Sequence, residues 1–288
     1  MANNIFAAPI SGRALNVVKA AFPHLTRGEL GKLFTRGRIM FRGVKIKKSE
    51  QIVAGTELEA DLTDSEKQGV IAAPPAADLA VVFEDDALIV LDKPPNMHTV
   101  PVRFREAATL MNMLRANRAT ITAGGVLNAG SINRLDFETS GLVLVAKTDA
   151  AFETMYAAYH SGAVEKYYLA RVAGAVNAPM VMEDRIRKIR EQRERMAVGE
   201  TGLPARAEVS VIGTVGTDSL LLVKLITGVR HQIRVQLAAR GLPIVGDAGY
   251  GGRLHERMLL HSYMIEMTHP LSGKRMTIAA PPPDMFFH

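Results

Sequence analysis

The sequence holds three segments whose residue types and spacing could do chemistry. The first is SINRLDFETSGLVLVAK, residues 131–147, where Arg134, Leu135 and Asp136 precede Thr139, Ser140 and Gly141 and then an apolar run. In extended chain, Arg134 and Asp136 point to the same side. They fit an ion pair that ties a loop to a strand. They also fit a carboxylate at the mouth of a cleft, kept ionised by a nearby cation and free to act as nucleophile or base. The second segment is TGVRHQIRVQLAARGLPIVGDAGYGG, residues 227–252. A strand ending at Gly228 and a helix beginning near Arg230 would create an anion site at the helix start. Arg230 and Arg234 are four apart and share a helix face. Arg234 reads equally as an exposed helical residue or a site residue, and His231 as a satisfied core or capping histidine. The third is KYYLARV, residues 166–172, where alternation puts Lys166 and Tyr168 on one strand face. Strand tyrosines of this kind are most often core.

The elements that must position these residues are short and mixed. Residues 79–83 and 87–91 read as strands around an acidic turn at Glu84, Asp85 and Asp86, and residues 142–146 and 219–226 as further apolar strands. Residues 152–159 and 231–239 read as helices, the latter stopped by Gly241 and Pro243. The pattern is α+β, without the regular alternation of a doubly wound sheet. No GxGxxG or GxxxxGKS segment is present, so no dinucleotide or triphosphate cradle is expected.

Residues 1–62 form a separate small unit. A helix over 14–22 ends at Pro23, and a second begins at Thr26, whose spacing to Glu29 is that of a capping box. Leu30, Leu33 and Phe34 share one face of that helix, with Lys32 and Arg36 opposite. Gly37 is placed to stop it. Strands are expected over 38–41, 44–46 and 57–62, with Arg42 and Gly43 as a turn. This unit carries ten Lys/Arg against five Asp/Glu, a surplus of +5 in a chain of net +6. Either the basic residues are a solvated face, or they bind phosphates. The stretch TRGELGKLFTRGRIMFRGVKIKKSEQIVAGTELE resembles the αL RNA-binding domain of a small-subunit ribosomal protein and several RNA-modifying enzymes. That resemblance implies RNA contacts from Lys32, Arg36 and Arg38. Residues 63–78 are polar, then rich in Ala and Pro, and read as a linker to a domain over 79–288.

Composition narrows the classes. A chain of 288 residues with 48% hydrophobic and 22% charged content can bury ordinary cores. It has no cysteine, which excludes disulfides, thiolate metal sites and a cysteine nucleophile. No apolar run reaches about 18 residues, and the N-terminus lacks a secretory pattern, so a cytoplasmic protein without membrane contact is expected. A pI near 9.6 favours a polyanionic partner.

Taken together, the segments IVLDKPPNMHTVP, NRLDFETSGLVLVAK, EKYYLARV, LPARAEV, TGVRHQIRVQLAARGLPIVGDAGYGG and LLHSYMIEMTHPLSGKRMTIAAPPP resemble, in order and spacing, the RluA-type RNA pseudouridine synthases. The resemblance covers residues 82–282. It implies a mixed, mostly antiparallel sheet and a definite site. Asp136 would be the catalytic carboxylate. Arg134 would help displace the target base from its stack. Tyr168 would pack on the uracil ring and assist proton removal, and Arg234 would pair with Asp136. Arg230 would contact RNA. Two positions depart from the family: Asn133 stands where His is common, and Val229 where Arg is common, with Arg230 next to it as a source of the lost charge. The departures bear on substrate contacts more than on the carboxylate.

The implied reaction detaches uracil, turns it and rejoins it through carbon. It needs no cofactor and no metal. A carboxylate can attack covalently or remove a ribose proton to give a glycal, and the sequence leaves both routes open. The base must leave its stack, and an aromatic wall such as Tyr168 would recover about 1–3 kcal/mol. Glycoside hydrolysis would need two carboxylates about 5–9.5 Å apart. Asp136 and Glu138 could be such a pair, but no aromatic sugar platform accompanies them. The other alternative is a non-catalytic RNA-binding or ribosome-assembly protein with a degenerate synthase domain. Residues 185–195, RIRKIREQRER, read either as a solvated helix or loop or as an RNA contact. Ribosomal RNA is expected as partner ahead of transfer RNA, and a monomer as the oligomeric state.

Overall fold

The computed structural model describes residues 4–23, 25–62, 78–102, 106–118, 121, 123, 130–189 and 195–288. Residues 4–62 build their own core. β1 (Asn4–Ala7), β2 (Gly12–Arg13), α1 (Ala14–Ala21), α2 (Arg27–Thr35), β3 (Ile39–Phe41), β4 (Val44–Lys45), β5 (Gln51–Ile52) and β6 (Glu57–Ala60) follow in chain order. The sheet runs β1-β6-β3-β4, with β2 paired to β5. Val17 and Val18 of α1 pack on Leu30, Leu33 and Phe34 of α2 and on Ile39 and Leu58 of the sheet. The capping box forms as expected. Glu29 N donates to Thr26 Oγ1 and Thr26 N to a Glu29 carboxylate oxygen. Arg42 and Gly43 both have positive φ, 49° and 72°, the geometry of a two-residue hairpin turn. The expected strands are present but shorter. β1, β2 and β5 carried no readable signal, because each is two to four residues long and held by a distant partner, as in Asn4 opposite Ala60.

From residue 81 onward the chain builds a ten-stranded sheet. Its elements are β7 (Val81–Glu84), β8 (Leu88–Lys93), α3 (Leu110–Asn117), β9 (Ser140–Ala146), α4 (Asp149–Ser161), β10 (Glu165–Val172), β11 (Met180–Lys188), β12 (Met196–Gly199), β13 (Leu203–Val215), β14 (Asp218–Leu225), α5 (Gln232–Ala239), β15 (Leu260–Thr268) and β16 (Arg275–Ala279). The order is β12-β11-β13-β14-β10-β15-β9-β8-β7, with β16 on β15. Within this sheet every pairing is antiparallel except β9 with β15. The class is α+β with a mixed, mostly antiparallel sheet. The principal core joins Ile89 and Leu91 of β8, Val143 and Val145 of β9, Ala170 of β10, Val223 of β14 and Ile233 and Leu237 of α5. Among the described residues no helix is long and apolar enough to cross a membrane.

Two readings need correction. Residues 185–188 are neither helix nor loop but the end of β11, paired with β12 and β13. Exposure alternates there: Arg185 and Arg187 face outward and Ile186 is buried, the period of a strand. The basic content masked that period. Positions 190–194 of that stretch lie outside the described residues, as do 63–77 of the expected linker. The helix after Gly228 also starts later than expected, at Gln232, because His231 takes a left-handed turn at φ 55°.

The parallel join brings Ser140 opposite His261 and Gly141 opposite Ser262. Gly141 has φ +107°, and a Cβ there would lie 2.3 Å from Ser262 O. Gly141→Ala should therefore destabilise the protein by roughly 3 kcal/mol or more through backbone strain and overpacking, read as a lowered urea midpoint.

Candidate active site

The loop that carries Asp136 is clamped from beneath. Asn133 is buried, its Oδ1 accepting from Leu144 N at 2.7 Å and its Nδ2 donating to Leu142 O at 3.2 Å. Leu135 N donates to Thr99 Oγ1 at 3.1 Å. Lys93 is fully buried and donates to the carbonyls of Pro94, Met97 and Phe137 at 2.9, 2.8 and 3.3 Å. Met97 N also donates to Phe137 O, at 3.0 Å. Burial varies along the loop: Asn133 and Leu135 are buried, Arg134 is exposed and Asp136 is half-buried. Among the described residues no ion pair joins Arg134 to Asp136.

The cation beside Asp136 comes from α5. Arg234 Nη1 lies 3.4 Å from Asp136 Oδ2 and 3.1 Å from Glu138 Oε2. Its other face makes a forked pair with Asp247, Nε to Oδ2 at 2.8 Å and Nη2 to Oδ1 at 2.9 Å. Both of those side chains are buried, at 4% and 1% exposure. Asp247 also caps the turn after it, accepting from Gly249 N at 3.1 Å. Burial works to lower the Arg234 pKa, but the hydrogen bonds and charge of Asp247, with Asp136 and Glu138 behind it, raise it above its ordinary value. Arg234 is therefore no surface residue.

His231 does not cap α5 with its side chain. Its Nδ1 meets Tyr250 Oη at 2.9 Å, and Tyr250 Oη accepts from Met196 N at 2.9 Å. We assign the hydroxyl proton to the Tyr250–His231 bond, which leaves the ring proton on Nε2. Nε2 lies 3.9 Å from Asp136 Oδ1. Burial lowers the His231 pKa against the pull of Asp136, with Arg234 and Arg230 adding to the lowering. Gln232 fixes the helix start, accepting from Thr227 Oγ1 at 2.8 Å and from Val229 N at 3.1 Å.

Tyr168 and Lys166 share one buried strand face, as alternation requires. Burial, foremost, and then the charges of Tyr159 and Asp136 raise the Tyr168 pKa, while a hydrogen bond with Ser262 opposes them. A phenol that keeps its proton serves as a wall or a donor, not as a base. Lys166 Nζ lies 4.6 Å above the Tyr159 ring.

Of the expected RNA contacts, Arg134 and Arg230 are exposed in this region, and Lys32 of α2 and Arg36 at its C-cap are exposed as well. Arg38 is half-buried, with Nε 3.4 Å from Asp61. Spacing alone gives no sign of Asp247, Tyr250 or Lys93 at the site and reads His231 as structural. The motif segments contain all four, but their partners come from other elements. Among the described residues no cluster of three or more His, Asp or Glu is arranged to hold a metal ion.

A family pattern described as RNA pseudouridylate synthase matches residues 87–239. The chain is similar to ribosomal large subunit pseudouridine synthase D of Pseudomonas aeruginosa, at 31% identity over 96% of this chain and 91% of that protein. It is similar to an RNA pseudouridine synthase of Chloroflexus aurantiacus, at 34% identity over 91% of this chain and 84% of the other. Among solved structures, human RNA pseudouridylate synthase domain containing 1 superposes with a TM-score of 0.60 at 27% identity, over 73% of this chain and 86% of that one.

Two predictions follow from the buried charges. Asp247→Ala leaves the Arg234 guanidinium without its forked partner and should cost about 3–5 kcal/mol, measured by urea unfolding. Burial, opposed by Asp136, pulls the Lys93 pKa from 10.5 down to about 7. Between about pH 7 and 10.5 the unfolded chain then holds a proton that the folded chain lacks. Through Lys93, stability should rise with pH across that window and level off below it. Lys93→Met should remove this component, so the wild-type minus variant difference in urea midpoint should slope upward with pH.

Proposed function

The chain belongs to the RNA pseudouridylate synthase family, and from that premise we propose that it isomerises uridines of large-subunit ribosomal RNA with Asp136 as its catalytic carboxylate. The observation that carries this reading is the seat of Asp136. Its carboxylate stands half-buried on a loop clamped from below and shares with Glu138 a guanidinium that Asp247 holds in place. The surroundings supply an anion with fixed neighbours, which either the covalent or the glycal route requires. Tyr168 supplies the wall for the displaced uracil. Arg134, exposed two residues before Asp136, takes the vacated place in the stack.

The ribosomal substrate rests on the name of the Pseudomonas relative. The reading of residues 1–62 as an RNA-binding unit, 63–78 as a linker and 79–288 as the catalytic domain rests on the separate core of residues 4–62 and on its surplus of basic residues. The exposed Lys32 of α2 and Arg36 at its C-cap belong to that basic face. A non-catalytic reading would have to rest on the two departures from the family pattern, Asn133 and Val229. Both have structural work instead: Asn133 pairs with the backbone of β9, and Val229 packs near Ile186, Met196 and Val235.

The test uses the purified full chain and a large-subunit ribosomal RNA transcript, with pseudouridines mapped by sequencing. Wild type should modify defined uridines. Asp136→Ala should lower the rate by roughly a thousandfold or more while binding the transcript as before. A wild-type protein that binds the transcript without modifying it, or an Asp136→Ala protein that still modifies it, would overturn the assignment.

A further inference from the structure

We propose that Phe137 and His98 form a stacking shelf at the mouth of the site for the nucleobase next to the target uridine. The inference rests on the synthase reading and adds a substrate contact to it. Phe137 directly follows Asp136 in the chain, and it is 41% exposed. Large apolar side chains exposed singly are common on protein surfaces, so exposure by itself argues little. Three further observations set this one apart.

First, the ring is not a mobile surface group on a free loop. The Phe137 carbonyl accepts from both Lys93 Nζ and Met97 N, at 3.3 and 3.0 Å. Second, a second ring stands beside it. The His98 and Phe137 centroids are 4.8 Å apart with planes at 54°. His98 is itself fixed, through a hydrogen bond between Nδ1 and the Glu106 carboxylate and through its carbonyl, which accepts from Leu110 N at 3.0 Å. Glu106 in turn accepts from Val102 N at 2.9 Å. Third, the charge around the shelf suits a polyanion. Arg134 is exposed three residues before Phe137, and the chain as a whole is basic.

The chemistry that fits is a flat ring carried on a phosphate backbone. Taking a uridine out of its stack costs a few kcal/mol, because its neighbours lose their partner faces. A rigid aromatic surface next to the pocket restores one of those faces, and it is tolerant of base identity because every base has a π face. Rings already held in position lose little freedom when the base arrives. Tyr168 serves a different base: it is buried near Asp136, whereas Phe137 is exposed and follows Asp136 in the chain.

The experiment compares wild type, Phe137→Tyr, Phe137→Leu and Phe137→Ala as full chains on the large-subunit transcript. It reads pseudouridine formation and equilibrium binding at several salt concentrations. Phe137→Leu and Phe137→Ala should weaken binding and raise KM by roughly tenfold to a hundredfold, the effect of one lost stack. Their kcat should change little. Phe137→Tyr should behave as wild type. The salt slope of binding should be the same in all four, because no phosphate contact is lost. Leucine keeps the apolar contact with the loop, so the comparison holds even if the alanine variant is unstable. Wild-type binding by Phe137→Leu, or a loss that comes with an altered salt slope, would overturn the shelf and leave the synthase intact. A wild type that binds without modifying would overturn the synthase reading, with the shelf still decided by the binding series.

Discussion

A buried guanidinium must be answered by carboxylates, and Arg234 is answered three times. Asp247 takes two of its nitrogens in a forked pair, and the remaining one spans Glu138 and Asp136. Such a charge in the interior is tolerable only with this completeness. The consequence is geometric. The pair with Asp247 holds the guanidinium against the turn at Ala248–Tyr250, so its free edge has one place to point. The carboxylate of Asp136 is met there by a cation that cannot swing away. Preorganised charge of this kind costs no rearrangement at the moment of reaction.

The second constraint is the loop itself. Its less buried residues are useful because its buried ones are satisfied. Asn133 supplies both a donor and an acceptor to β9, substituting for a missing strand partner. Val229 lies beside the small apolar cluster of Ile186, Met196, Ala205 and Val235, between β11, β12, β13 and α5. A side chain with a charge would leave that contact. Both departures from the family pattern thus have a local physical use away from the carboxylate.

Protonation completes the picture. Tyr168 keeps its phenol proton, and His231 is held toward its neutral form with Tyr250 donating to it. The Asp136 carboxylate is set among neutral donors, one permanent cation and a second carboxylate, that of Glu138.

Much of this was legible in the residues. The capping box at Thr26, the turn at Arg42 and Gly43, the strands on either side of the acidic turn and the stop at Gly241 all depend on neighbours within a few positions. Local chemistry decides them, so local sequence reveals them. The family resemblance implied a pairing of Arg234 with Asp136, and Arg234 Nη1 lies 3.4 Å from Asp136 Oδ2. What the sequence could not show was long-range pairing. β15, from near the C-terminus, lies between β9 and β10 and makes the single parallel join of the large sheet. The basic run at 185–188 became a strand because β12 and β13 offered it partners. Asp247 became the anchor of Arg234, and Tyr250 the partner of His231, only when α5 folded back on the turn that follows it. The residue types set what each side chain can do. Which partner it meets depends on contacts between distant segments, and a one-dimensional pattern carries no distances.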